Sequence, residues 1–155
     1  MDPDCDVITT LNDLNNRVNK KGIRKPNVSE TSEEFGSVSK TLLVNHAYRY
    51  AGLVNLQRAR AERTISNPVT ESEYLLDAGN CFNLAWIDIS NHAGLPDTAI
   101  ESTTMINSFV QSGRVLSEMG DHLLASRRLC QLGDILMRGI ECGFKNCDEL
   151  HFSIF

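Results

Sequence analysis

The stretch Phe109–Leu132, FVQSGRVLSEMGDHLLASRRLCQL, decides how the rest of the chain is read. Met119-Gly120-Asp121 splits it into two helical patterns. Glycine suits the end of a helix because it accepts a left-handed backbone without steric penalty. Gly113 lies inside the first pattern and Ala125 inside the second. Residues that small let two helices approach closely. After the turn, Ala125, Leu129, Leu132, Leu136 and Ile140 recur at intervals of four and three, the period of one helix face. The stretch is therefore a helical hairpin, with its second helix predicted over about His122–Ile140.

The same signals recur upstream. Asp6–Asn19 predicts a short amphipathic helix on Val7 or Ile8, Leu11, Leu14 and Val18. A long helix is expected over about Ser32–Thr64, with an interruption near Gly36. Leu43, Ala47, Tyr50, Ala51 and Val54 form its stripe, and Arg58, Arg60 and Arg63 mark a wetter end. Leu42, Leu53, Leu56 and Ala59 lie partly outside the stripe, so this helix needs neighbours on more than one side. Ser66-Asn67-Pro68 ends it. Thr70 with Glu73 reads as a capping box for a helix over about Glu71–Ser90, buried along Tyr74, Ala78, Cys81, Phe82, Ala85 and Ile89 and anchored by Trp86. A turn at Asn91–Asp97 leads to a helix ending near Glu118, with Ala99, Thr103, Ile106, Val110 and Gly113 on one face and Phe109 and Leu116 beside it. No strand alternation is visible. Helices joined by short turns pack antiparallel. The Phe109–Leu132 hairpin resembles the tetratricopeptide type, and the other hairpins fit that consensus poorly. The expected fold is all-α: antiparallel helical hairpins stacked as a TPR-like α-solenoid. Its expected divisions are an N-terminal helix and basic linker (1–30), the helical array (31–141) and an irregular C-terminal tail (142–155).

Composition narrows the function. The chain has 155 residues, 41% of them apolar, and a net charge of -5. That suits one folded domain with a real core. Nucleic-acid binding is not expected, because it usually needs a basic face. No run reaches the length of a membrane span, so no membrane insertion is expected. The start Met1-Asp2-Pro3-Asp4-Cys5-Asp6 is acidic where a secretory signal is basic and then apolar. The expected compartment is cytoplasmic, with the five cysteines reduced.

Arg24-Lys25-Pro26-Asn27-Val28-Ser29-Glu30-Thr31-Ser32-Glu33-Glu34-Phe35-Gly36 joins the basic segment to the helices. Pro26 keeps Lys25 extended. Thr31 with Glu34 reads as a capping box, and the glutamates suit the positive end of the helix dipole. Phe35 reads as an apolar anchor into the helices downstream. Arg17, Lys20, Lys21, Arg24 and Lys25 form a basic run. It either complements the negative end of the first helix or meets an acidic partner or anionic membrane.

The string from Lys20 to Glu30, followed by Glu34-Phe35-Gly36, resembles the N-terminal region of the 40-kDa huntingtin-associated protein family, also called the factor VIII intron 22 protein family. The resemblance extends through Tyr50-Ala51 to about Arg63. It implies a non-enzymatic helical scaffold that binds huntingtin, a HEAT-repeat protein, and links it to early-endosome trafficking and motility through a Rab GTPase. It places the protein in the cytoplasm, at early endosomes and in the nucleus. The partner-binding residues it implies are Arg24, Lys25, Pro26, Asn27, Val28 and Phe35, and ordering of the first hairpin is the competing role for the same residues. The family is longer, so the ending admits three readings: a short isoform, an incomplete gene model or a divergent relative. The alternative is a vesicle-trafficking adaptor of the soluble NSF-attachment type, which would bind a SNARE bundle.

Catalytic chemistry finds no footing in the sequence. Cys142, Cys147 and His151 are the one cluster with ligand character, and three ligands without a second cysteine pair fall short of a structural zinc site. A helical enzyme or metal protein built on them is the third reading. His46, His92, His122 and His151 are scattered, and no phosphate-binding glycine loop is present. The expectation is no enzyme, no cofactor and no metal.

Overall fold

The computed structural model describes residues 28–93 and 99–141, together with Thr9, Asn12, Asp13 and Asn16. Those four isolated positions are helical and exposed, within the segment expected to form the first amphipathic helix. The rest of that segment, the basic run and the 142–155 tail, with Cys142, Cys147 and His151, lie outside the described residues.

The main body is built of helices α1 Val28–Val44, α2 Tyr48–Thr64, α3 Pro68–Ala93, α4 Ala99–Glu118 and α5 His122–Glu141. Among the described residues there is no strand. Helix α1 begins four residues before the expected start near Ser32, so Val28 is helical and Thr31, expected to cap the helix, lies inside it.

Each helix packs chiefly on its neighbours in sequence. The pairs run antiparallel: Arg63 near the end of α2 meets Glu71 near the start of α3, while Gly52 near the start of α2 faces Phe82 late in α3. Helices two apart also touch. Arg49 of α2 pairs with Glu101 of α4 at 3.2 Å, and the Ser32 hydroxyl of α1 is 3.5 Å from the Tyr74 hydroxyl of α3. Helix α3 therefore has neighbours on more than one side. Leu75, Ala78, Cys81, Phe82, Leu84, Ala85, Trp86 and Ile87 are all buried, which explains why its apolar residues exceed a single stripe.

Three turns share one construction. His46, Ser66 and Gly120 have φ of 58°, 59° and 86°. In each turn the next residue's N–H reaches back five positions: Ala47 to the Leu42 carbonyl, Asn67 to Glu62 and Asp121 to Leu116. These are glycine-type helix stops, two of them built without glycine. The first corrects the expected interruption at Gly36: the chain runs through Gly36 as helix and breaks at Asn45–Ala47. The second corrects the role of Pro68. It does not merely end α2. It is the first residue of α3, where proline's missing N–H costs nothing. Asn67 supplies the cap there: its carbonyl accepts the Glu71 N–H at 3.0 Å and its amide donates to Glu62 and Thr70 at 2.9 Å. The expected capping box at Thr70 and Glu73 thus lies inside the helix. At the third turn, Asp121 Oδ1 accepts the Leu124 N–H at 3.0 Å.

A left-handed backbone costs a non-glycine residue about 1–2 kcal/mol. The Ser66 side chain is exposed, so Ser66→Gly removes that cost without losing packing. We expect thermal denaturation to show a rise of about 2–4 °C. A fall would mean the turn draws on the serine side chain.

The buried face of α4 departs from the expected one. Met105, Phe109, Leu116, Ser108, Ser112 and Glu101 are buried, whereas Val110 is 43% exposed. Serines can occupy that face because each hydroxyl finds a carbonyl: Ser112 donates to Ser72 at 2.7 Å and Ser108 to Thr104 at 2.7 Å. On α2, Tyr48 is buried in place of Tyr50.

Candidate partner-binding surface

Of the six residues expected to meet a partner, Arg24, Lys25, Pro26 and Asn27 lie outside the described residues. Val28 opens α1. Phe35 is two helical turns further on and only 1% exposed. It clusters with Leu42, Ala51, Val54 and Cys81. Its ring is buried among α1, α2 and α3, the place expected of an apolar anchor into the helices downstream.

Beside it is a polar junction that the sequence reading missed. The Arg58 guanidinium lies 3.8 Å from the centre of the Tyr74 ring and donates to Asn55 Oδ1 at 3.3 Å. It also lies over Gly36, where a Cβ would stand 3.1 Å from Nη2. Arginine on an aromatic face gains a cation–π attraction. Arg58 is thus half-buried in a three-helix junction, not at a wet helix end. The signal was present: Ala47, Ala51, Val54 and Arg58 are spaced at intervals of four, three and four. The Asp77 carboxyl next to this junction is held above its usual range by burial. The Arg58 charge opposes that rise, Glu73 adds to it, and Arg128 of α5 opposes it. The Nε atoms of Arg58 and Arg128 and the Oδ1 of Asn80 are buried with no hydrogen-bond partner among the described residues.

A cleft of about 590 Å³ opens where α2, α3 and α4 converge. Arg63, Glu71, Arg114 and Glu118 supply its charge, and Val115 and Met119 its apolar wall. Arg63 holds the buried Glu71 through Nε and Nη2 at 2.7 and 2.6 Å, and Arg114 holds Glu118 at 2.9 Å. Each arginine of the cleft already faces a carboxylate of its own chain, which leaves little net charge to attract an ionic ligand.

The Cys81 thiol is pushed up to about 12 by burial, partly offset by the Asn55 amide hydrogen bond at 3.6 Å. It is neutral near pH 7, and so lacks the thiolate a cysteine nucleophile needs. Among the described residues no group of three or more His, Cys, Asp or Glu is placed to hold a metal ion. No helix among them is long and apolar enough to cross a membrane.

The chain is 26% identical over 91 residues to the 40-kDa huntingtin-associated proteins of Rattus norvegicus and Mus musculus. That is a distant relationship. The match takes in 59% of this chain and 24% of each relative, so the chain spans about a quarter of their length. No protein-family model matches. No solved structure matches significantly.

Proposed function

We propose that the chain is a non-enzymatic helical scaffold that binds huntingtin and links it to early-endosome trafficking and motility. The observation that carries this reading is the distant similarity to two huntingtin-associated proteins. The helical packing supports it. Helices that contact mainly their sequence neighbours, joined by three turns of one construction, suit a TPR-like stack whose function lies in its exposed faces. An early-endosomal Rab GTPase joins through the complex with huntingtin, which places the protein in the cytoplasm and at early endosomes.

The basic segment tests the reading. Capture of the tagged chain from its own cells, followed by mass spectrometry, is expected to recover near-stoichiometric huntingtin. Changing Arg24 and Lys25 to glutamate should cut that recovery without altering helicity or melting. Loss of folding would make the segment structural. Recovery of SNARE proteins in place of huntingtin would point to the NSF-attachment type of adaptor.

A further inference from the structure

The cleft between α2, α3 and α4 contains an acceptor that the described chain leaves unused. Arg63 directs two nitrogens at one oxygen of Glu71: Nε is 2.7 Å and Nη2 2.6 Å from Oε1. An arginine fork more often spreads over both oxygens of a carboxylate. Here Oε2 has no hydrogen-bond partner among the described residues, although Glu71 is only 6% exposed. This oxygen is not sealed off from solvent, and Glu71 lines the cleft, so a donor reaches it from there. A carboxylate oxygen so placed gains most from a charged donor.

The surroundings favour a cation over an anion. The four charges lining the cleft cancel, Arg63 and Arg114 against Glu71 and Glu118. Long-range attraction is therefore small, and contact decides. The remaining N–H groups of the two arginines sit on side chains 62% and 68% exposed, where water serves them. Helices α2 and α4 end at the cleft, and α3 begins there. The negative ends of two helix dipoles thus stand against the positive end of one. Pro68, Val115 and Met119 add apolar wall, and the volume of about 590 Å³ is in the range of small-ligand sites.

We propose that this cleft binds a primary ammonium on an alkyl stem, the chemistry of a lysine side chain and of a free alkyl diamine. The ammonium donates to Glu71 Oε2. The stem lies along Pro68, Val115 and Met119, as lysine stems lie on apolar surface elsewhere.

Nuclear magnetic resonance titration of the full, isotope-labelled chain tests this. The probes are N-acetyl-lysine methylamide, its side-chain-acetylated form, N-acetyl-norleucine methylamide and cadaverine. The lysine probe should shift the amides around Glu71 and Met119. It should bind about tenfold more tightly than the acetylated or norleucine probe, which lack the ammonium. Tighter binding of cadaverine than of the lysine probe would assign the site to free amines, and the reverse order to a protein partner; either supports the chemistry. Glu71→Gln should weaken the lysine probe about tenfold. That change also loosens Arg63, so a second variant is needed. Gln111 is an exposed residue of the cleft lining. Gln111→Lys supplies an ammonium from the chain itself and should weaken the probe about tenfold with the melting temperature unchanged. The proposal is overturned if no probe shifts the cleft amides, if the lysine and norleucine probes bind alike, or if both variants bind the lysine probe as the parent does.

Discussion

Phe109→Ala is expected to lower the stability of the chain by about 3–5 kcal/mol, the range for emptying a buried aromatic site. Domain stabilities run to about 5–15 kcal/mol, so this one change removes a large share. Thermal melting tracked by circular dichroism should show a drop of roughly 10 °C or more. The reason is positional. Phe109 is 0% exposed, and its ring closes the gap left by Gly79 while packing with Phe82, Trp86, Met105 and Leu132. One side chain thus connects α3, α4 and α5. The pairing also predicts a change of sign. Gly79→Ala alone places a methyl 2.8 Å from ring carbons, and overpacking of about 1–3 kcal/mol outweighs the gain in helix propensity. In the Phe109→Ala background the obstruction is gone, and Gly79→Ala should then stabilise. A Phe109→Ala melt within about 1 kcal/mol of the parent would contradict this packing.

Phe35→Ala is expected to lower stability by about 3–4 kcal/mol, again through a cavity. Its ring is 1% exposed in a cluster drawn from α1, α2 and α3. Helix α1 packs chiefly on α2. The loss should therefore appear first as local opening of α1, seen as faster amide hydrogen exchange across residues 32–44 than across α3. This separates the two roles the sequence left open for Phe35. If the ring is a core residue, huntingtin binding by Phe35→Ala falls in step with the opening of α1. A variant with unchanged exchange but lost binding would return Phe35 to the interface.

The helical class and several boundaries were legible in the sequence. Gly120 and the periodic leucines placed α5 at about His122–Ile140, one residue short of the observed His122–Glu141, and Gly113 marked a close approach between α4 and α5. What escaped were features whose residue types carry no helix-ending or core signal. The break at Asn45–Ala47 turns on His46 in a left-handed conformation, with its ring Nδ1 2.6 Å from the Tyr48 hydroxyl, and neither glycine nor proline announces it. The buried face of α4 was hidden because Glu101, Ser108 and Ser112 occupy it, satisfied by Arg49 and by backbone carbonyls. Pro68 was read only as a stop, although a proline one residue past a turn suits a helix start equally well. For the candidate surface, the sequence singled out residues by their wording. Arg58 continues the Ala47, Ala51 and Val54 stripe, and its charge, read as a wet helix end, masked the half-buried stack on Tyr74.

Direct binding of the purified chain to purified huntingtin tests the central claim most plainly. Surface plasmon resonance, with the rat 40-kDa huntingtin-associated protein as reference, is the suitable format. A scaffold of the proposed kind gives saturable, equimolar binding that the reference protein competes away. A folded, monomeric chain that leaves huntingtin unbound under conditions where the reference binds would contradict it.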